Sequence, residues 1–124
     1  MFDHELMRLE NKGKLAWLTF TRENQLNAMN NAGVDQINRI ASTLRDDPNV
    51  RVVIIRGAGR AFCTGIDLKE LAADRIEMDY HRLWEQALRL FETMEKLVIV
   101  GMHGYCLGGA LQLALVAHIR VITP

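Results

Sequence analysis

Strands alternating with helices along 124 residues predict an α/β fold with some parallel pairing. Three observations carry the prediction. Apolar runs rich in β-branched residues occur at 15–21, 50–56, 97–102 and 119–122. The segments between them repeat apolar residues at helical spacing. Glycine-rich junctions lead from two of these strands into the helices that follow. With 49% hydrophobic and 24% charged residues, the chain suits one globular domain that buries roughly two-thirds of its unfolded surface.

LAWLTFT at 15–21 opens the series as a strand. Val34, Ile37, Ala41 and Leu44 then recur on one helical face, with Asn31 as the expected N-cap. VRVVIIR at 50–56 is a strand bounded by the turn signals DDPN and GAGR. Leu83, Trp84, Ala87, Leu88, Phe91 and Met94 form a broader apolar stripe, the mark of a longer helix. LVIVGM at 97–102 gives the third strand, a helix is expected over 109–117, and a closing strand over 119–122. No internal repeat, low-complexity segment or linker interrupts the pattern.

Composition narrows the function classes. Fifteen basic residues balance fifteen acidic ones, so no net field recruits nucleic acid or anionic lipid, and a phosphate-bearing ligand would need a small local patch of positive charge. The opening MFDHELMRLE has neither a basic start nor an apolar run, and no stretch is long enough to cross a bilayer. The expectation is a cytoplasmic protein without membrane or nucleic-acid partners and without a metal site. Cys63 and Cys106 are too few for a disulfide framework and read as reduced thiols. His4, Trp17 and Trp84 carry no readable role, and His103 is expected to satisfy a backbone group.

Two stretches carry the chemistry. GAGRAFCTGIDLKEL at 57–71 follows the second strand, and HGYCLGGAL at 103–111 follows the third. At a strand-to-helix junction the first N–H groups of the helix lack internal partners, and the helix dipole adds partial positive charge. Each junction can therefore hold an anion or a polarised carbonyl. Glycines that merely permit tight turns would give either pattern alone; their joint occurrence is the informative feature.

RAFCTGIDLKEL resembles the first oxyanion-loop signature of the crotonase (enoyl-CoA hydratase/isomerase) superfamily, and HGYCLGGALQLALVAHIRV is similar to its second. RENQLNAMN resembles the asparagine-alanine segment that lines that family's coenzyme A pocket. The resemblance spans nearly the whole chain and implies a ββα spiral core. It also implies roles: the amides of Ile66 and Gly109 would donate to the thioester oxygen of an acyl-CoA and stabilise the enolate formed there. Leu26, Ala28, Cys63, Thr64, Asp67 and Leu68 would line the adenine and pantetheine path, with Lys69 near a CoA phosphate. A solvated surface lysine fits Lys69 equally, and Asp67 is also well placed as an N-cap. No cofactor beyond the coenzyme A of the substrate is implied.

Departures from the family pattern bear on the reaction. Gln112 stands where hydratases carry their first catalytic glutamate, and an amide cannot exchange the required proton. The second carboxylate of hydration would lie beyond Pro124. Ala110 replaces a usual glycine, and His118, where an aspartate is common, reads as a packing or surface residue. Family members are longer, so the resemblance places 1–124 as an amino-terminal crotonase-like core, incomplete at the carboxyl end, without the helices that build trimers and hexamers. A homo-oligomer is expected of the complete protein. Two functions follow: an enolate-stabilising acyl-CoA enzyme of the hydratase/isomerase type, or a catalytically impaired CoA-binding or assembly module.

Two further readings stay open. GYCLGGAL also looks like the G-x-C-x-G nucleophile elbow of dienelactone hydrolases, with Cys106 as nucleophile. That chemistry needs a histidine and an acid downstream, where only His118 and no Asp or Glu occur. Tyr80, His81 and Glu85 lie on the longer predicted helix, a region from which some superfamily members recruit unusual bases, and a solvated helix face gives the same pattern.

Overall fold

The computed structural model describes Phe2–Asp3 and residues 6–124. Met1, His4 and Glu5 lie outside the described residues, and with them the reading of His4. Six strands form one sheet in sequence order: β1 (Phe2–Asp3), β2 (Met7–Lys12), β3 (Leu15–Phe20), β4 (Val52–Gly57), β5 (Leu97–Met102) and β6 (Ile119–Ile122). The first three pair antiparallel and the last four parallel. The expected parallel pairing is therefore present.

Strand β2 has no counterpart in the sequence reading. Met7 and Leu9 point into the core and Arg8 and Glu10 outward, the period-2 alternation of a half-buried strand. Gly13, at φ +61°, makes the tight turn into β3, with Lys12 paired to Leu15.

Helix α1 (Asn31–Asp46) buries Val34, Ile37, Ala41 and Leu44 as expected, and Ile40 with them. Its cap is Asn30, not Asn31: the Asn30 side chain accepts from the Gly33 amide at 2.9 Å. Asn31 instead braces the segment opposite, donating to the Arg75 carbonyl and accepting from the Glu77 amide. Pro48, two residues after the helix, prevents its continuation.

Helix α3 (Tyr80–Thr93) packs on α1 and shares a core with it and the sheet, including Leu18, Ile55, Phe91 and Val100. Buried Asn38 of α1 ties the two helices by donating to the Leu83 carbonyl at 2.7 Å. A short α2 (Leu68–Ala72) follows the first glycine-rich loop, and α4 (Gly109–Val116) follows the second. The sheet edge at β6 keeps all four residues exposed.

Candidate active site

The two glycine-rich loops are stitched together by their backbones. Phe62 and Cys63 donate to the carbonyls of His103 and Tyr105, and Leu107 donates back to Cys63. Cys63 and Cys106 face each other in this short parallel ladder. Gly65 is the point of closest approach. At φ +88° it occupies backbone space that side chains rarely tolerate, and a Cβ there would sit 2.8 Å from the Leu107 carbonyl oxygen and 3.5 Å from the Gly109 nitrogen.

A second ladder fixes the first loop from the other side. The Met29 amide donates to the Gly65 carbonyl at 2.8 Å, and the Asp67 amide to the Met29 carbonyl at 2.9 Å. Alternation along an extended chain then turns the intervening Ile66 amide away from Met29. Neither the Ile66 nor the Gly109 N–H has a hydrogen-bond partner among the described residues. Gly109 is the first residue of α4, where intrahelical acceptors are missing. Both residues line one cavity of about 510 Å³.

The far wall of that cavity comes from α3. Tyr80 is buried rather than solvated; its hydroxyl donates to the Met29 carbonyl at 2.8 Å, and burial raises its phenol well above the ordinary tyrosine range. His81 also lines the cavity, whereas Glu85 is exposed and away from it. Trp84 proves structural: its indole lies against Gly109, so that a Cβ at 109 would come 2.7 Å from Nε1. The same N–H donates to Gln112 Oε1 at 3.2 Å, which places Gln112 on the cavity wall beside Gly109. No Asp or Glu side chain lines this cavity among the described residues.

A second cavity of about 380 Å³ adjoins the first across Thr64, Ile66, Leu68 and Leu107. Leu26, Ala28, Thr64, Asp67, Leu68 and Lys69 all line it. Cys63 does not, because its side chain is fully buried beneath the loop. Its Sγ donates to the Asn27 carbonyl at 3.2 Å, and burial pushes the thiol up to about 11. Asp67 caps α2 through the Lys69 and Glu70 amides and pairs with Arg22 at 2.8 Å. Burial by itself would raise the Asp67 carboxyl; the Arg22 guanidinium and the two amides outweigh it and hold the group below its ordinary value. Lys69 is exposed at the rim.

Asn27 has a role that the sequence reading missed. Almost wholly buried at φ +59°, it directs its Nδ2 at the carbonyls of Ala58, Ala61 and Phe62, at 2.9 to 3.1 Å, and so shapes the first loop from inside. His103 does satisfy a backbone group, with Nε2 at 2.6 Å from the Gly59 carbonyl. His118 Nδ1 accepts from the Val98 amide at 2.9 Å, near the opposite end of β5 from Cys106. Cys106 Sγ faces the Met102 sulfur, and burial raises its thiol. The histidine and the thiol of the hydrolase reading are thus kept apart.

A family-wide sequence profile described as enoyl-CoA hydratase/isomerase matches residues 10–123. The chain belongs to the enoyl-CoA hydratase/isomerase family. The crotonyl-CoA hydratase of Syntrophomonas wolfei is 34% identical over 95% of this chain and 46% of that protein. The peroxisomal Delta(3,5)-Delta(2,4)-dienoyl-CoA isomerase of Arabidopsis thaliana is 31% identical over 94% of this chain and 47% of its own length. The crystal structure of an enoyl-CoA hydratase/isomerase from Marinobacter aquaeolei superposes with a TM-score of 0.86 at 28% identity, covering 96% of this chain and 49% of that one. The fold of this hydratase/isomerase family member is accordingly crotonase-like, and the chain spans about half the length of the curated relatives it matches.

Proposed function

We propose that this family member binds an acyl-CoA thioester with its carbonyl oxygen between the amides of Ile66 and Gly109, and that these donors stabilise the enolate formed when charge moves onto that oxygen. One observation carries the reading: Ile66 and Gly109, residues of separate loops whose backbone N–H groups have no internal partners, both line a single cavity. Their loops are held in register by the Cys63–Cys106 and Met29–Ile66 ladders, so little reorganisation opposes the charge transfer. Removal of one such donor typically costs about 3–4 kcal/mol of transition-state stabilisation.

The adjoining cavity supports the rest of the placement. Leu26, Ala28, Thr64 and Leu68 offer an apolar track for the pantetheine arm, Asp67 holds the track's shape, and Lys69 at the rim offers the local positive charge that a CoA phosphate needs. Coenzyme A enters only as part of the substrate. Among the described residues no helix is long and apolar enough to cross a membrane. A cytoplasmic location and a homo-oligomeric complete protein are part of the same proposal and rest on the family resemblance.

A second reading, a CoA-binding or assembly module without turnover, is favoured by Gln112, whose amide cannot shuttle a proton. Titration with acetoacetyl-CoA separates the possibilities. Growth of the enolate absorbance on binding supports the paired-amide site; binding without that absorbance supports the module, and no binding by folded protein removes both.

A further inference from the structure

The two cysteines of the chain meet at the base of the paired loops. Cys63 donates its amide to the Tyr105 carbonyl and accepts from the Leu107 amide, both at 3.2 Å, the alternation of a parallel ladder that seats it opposite Cys106. Partners in such a ladder project their side chains to one face, on backbones about 4.8 Å apart. That spacing lies within the Cα range of a disulfide, about 4.4–6.8 Å. The two sulfurs differ in access, for Cys63 is fully buried whereas Cys106 is partly exposed. Each cysteine stands three residues before a proposed donor, Ile66 or Gly109. The Cys63 sulfur accepts from the Gly65 amide at 3.4 Å and donates to the Asn27 carbonyl at 3.2 Å, so it holds both the neighbour of Ile66 and the buried clamp of the first loop.

We propose that Cys63 and Cys106 form a redox site, in which a hydroperoxide joins them in a reversible disulfide that cross-links the two loops and displaces the donors they carry. The Cys106 sulfur attacks one peroxide oxygen and the O–O bond breaks; the thiol proton leaves with the other oxygen as water or alcohol, and Cys106 becomes a sulfenic acid. The Cys63 sulfur then displaces the sulfenic oxygen, the S–S bond forms, and the Cys63 proton departs with that oxygen as water. Two thiols are oxidised and one peroxide is reduced. To reach Cys106, the Cys63 sulfur gives up its contacts to Gly65 and Asn27, which loosens the loop beside Ile66. The link also draws together backbones already in close approach at Gly65, and that strain keeps it reducible. Burial raises both thiols, so the link forms slowly at neutral pH and records sustained rather than brief exposure to peroxide. Its effect on acyl-CoA rests on the paired-amide reading; the cross-link itself does not.

The test treats the protein with hydrogen peroxide and maps its thiols by peptide mass spectrometry, with a non-reducing gel to separate links within a chain from links between chains. A peptide joining Cys63 to Cys106 within one chain, cleaved by dithiothreitol, is the expected product, and Cys63→Ala is expected to leave Cys106 as sulfenic or sulfinic acid. Sulfinic acid at Cys106 of the wild type with Cys63 still free, a disulfide between chains, or two unmodified thiols overturns the proposal. Titration with acetoacetyl-CoA reads the effect on the donors: oxidation is expected to weaken the enolate-forming complex by about tenfold and dithiothreitol to restore it. Cys106→Ala is expected to keep its own affinity through both treatments. A cross-link that leaves the affinity unchanged overturns the displacement of the donors, as does a loss that dithiothreitol does not reverse, which is the mark of methionine oxidation. Should the reduced wild type give no enolate band, the paired-amide reading fails instead, and the mapped cross-link stands. If Cys63→Ala does not fold, the wild-type map decides alone.

Discussion

Replacement of Gly65 by alanine tests whether the two loops converge because the backbone requires it. At φ +88° an alanine carries a strain of about 1–2 kcal/mol. Its Cβ would also lie 2.8 Å from the Leu107 carbonyl oxygen, a backbone atom held in the loop ladder that cannot rotate aside. Forced overpacking of this kind adds about 1–3 kcal/mol, so the total is about 2–5 kcal/mol. Gly13→Ala is the matched control: φ is +61°, and nothing lies within 4 Å of the added methyl group, so only the strain remains. Gly65→Ala is expected to lower the thermal midpoint by roughly 10 °C, and Gly13→Ala by clearly less. Because the methyl group pushes the second loop from the first, Gly65→Ala is also expected to weaken acetoacetyl-CoA by about tenfold or more, while Gly13→Ala leaves its titration unchanged. Equal melting of the two variants, with unaltered binding by Gly65→Ala, would refute the claim that close approach at Gly65 positions the donors.

Other expectations follow from single contacts. Asn30→Ala removes the α1 cap and is expected to cost about 1 kcal/mol in urea denaturation, with Asn31→Ala costing less at the helix start. Asn27→Ala leaves three loop carbonyls without their shared donor and should cost about 2 kcal/mol or more, with loss of acyl-CoA binding in the same titration. Asp67 has a folded pKa below its unfolded one, so its contribution is complete above about pH 4 and lost as pH falls further; the stability gap between wild type and Asp67→Asn should close only in that acid range. Thiol alkylation at neutral pH should modify Cys106 first and Cys63 only on unfolding, since Cys63 is fully buried and its thiol is pushed up to about 11.

What could be read from the sequence was whatever depends on neighbours along the chain. Apolar periodicity located the three inner strands and both long helices, because burial of one face imposes a repeat of 2 or 3.6 residues. Strand β2 had the same signal in Met7, Leu9 and the Gly13 turn, but two buried apolar positions followed by Asn11 and Lys12 make an alternation too short to mark a strand by itself. The cap on α1 slipped by one position because Asn30 and Asn31 are chemically identical candidates, and only the backbone turn at Asn30 decides between them.

The glycine loops and the Asp67 cap were legible as local motifs, whereas the residues expected along the second cavity came only from the family resemblance, which included the buried Cys63. Tertiary contacts alone turned Cys63 inward, made Asn27 a buried clamp, buried Tyr80 and set Trp84 against Gly109, since each depends on which distant segment packs opposite. The direction of the Gln112 amide belongs to this second class. Its chemistry is written in one residue, but its orientation is imposed by an indole N–H from another helix, because a hydrogen bond is directional and its partner is chosen by the fold.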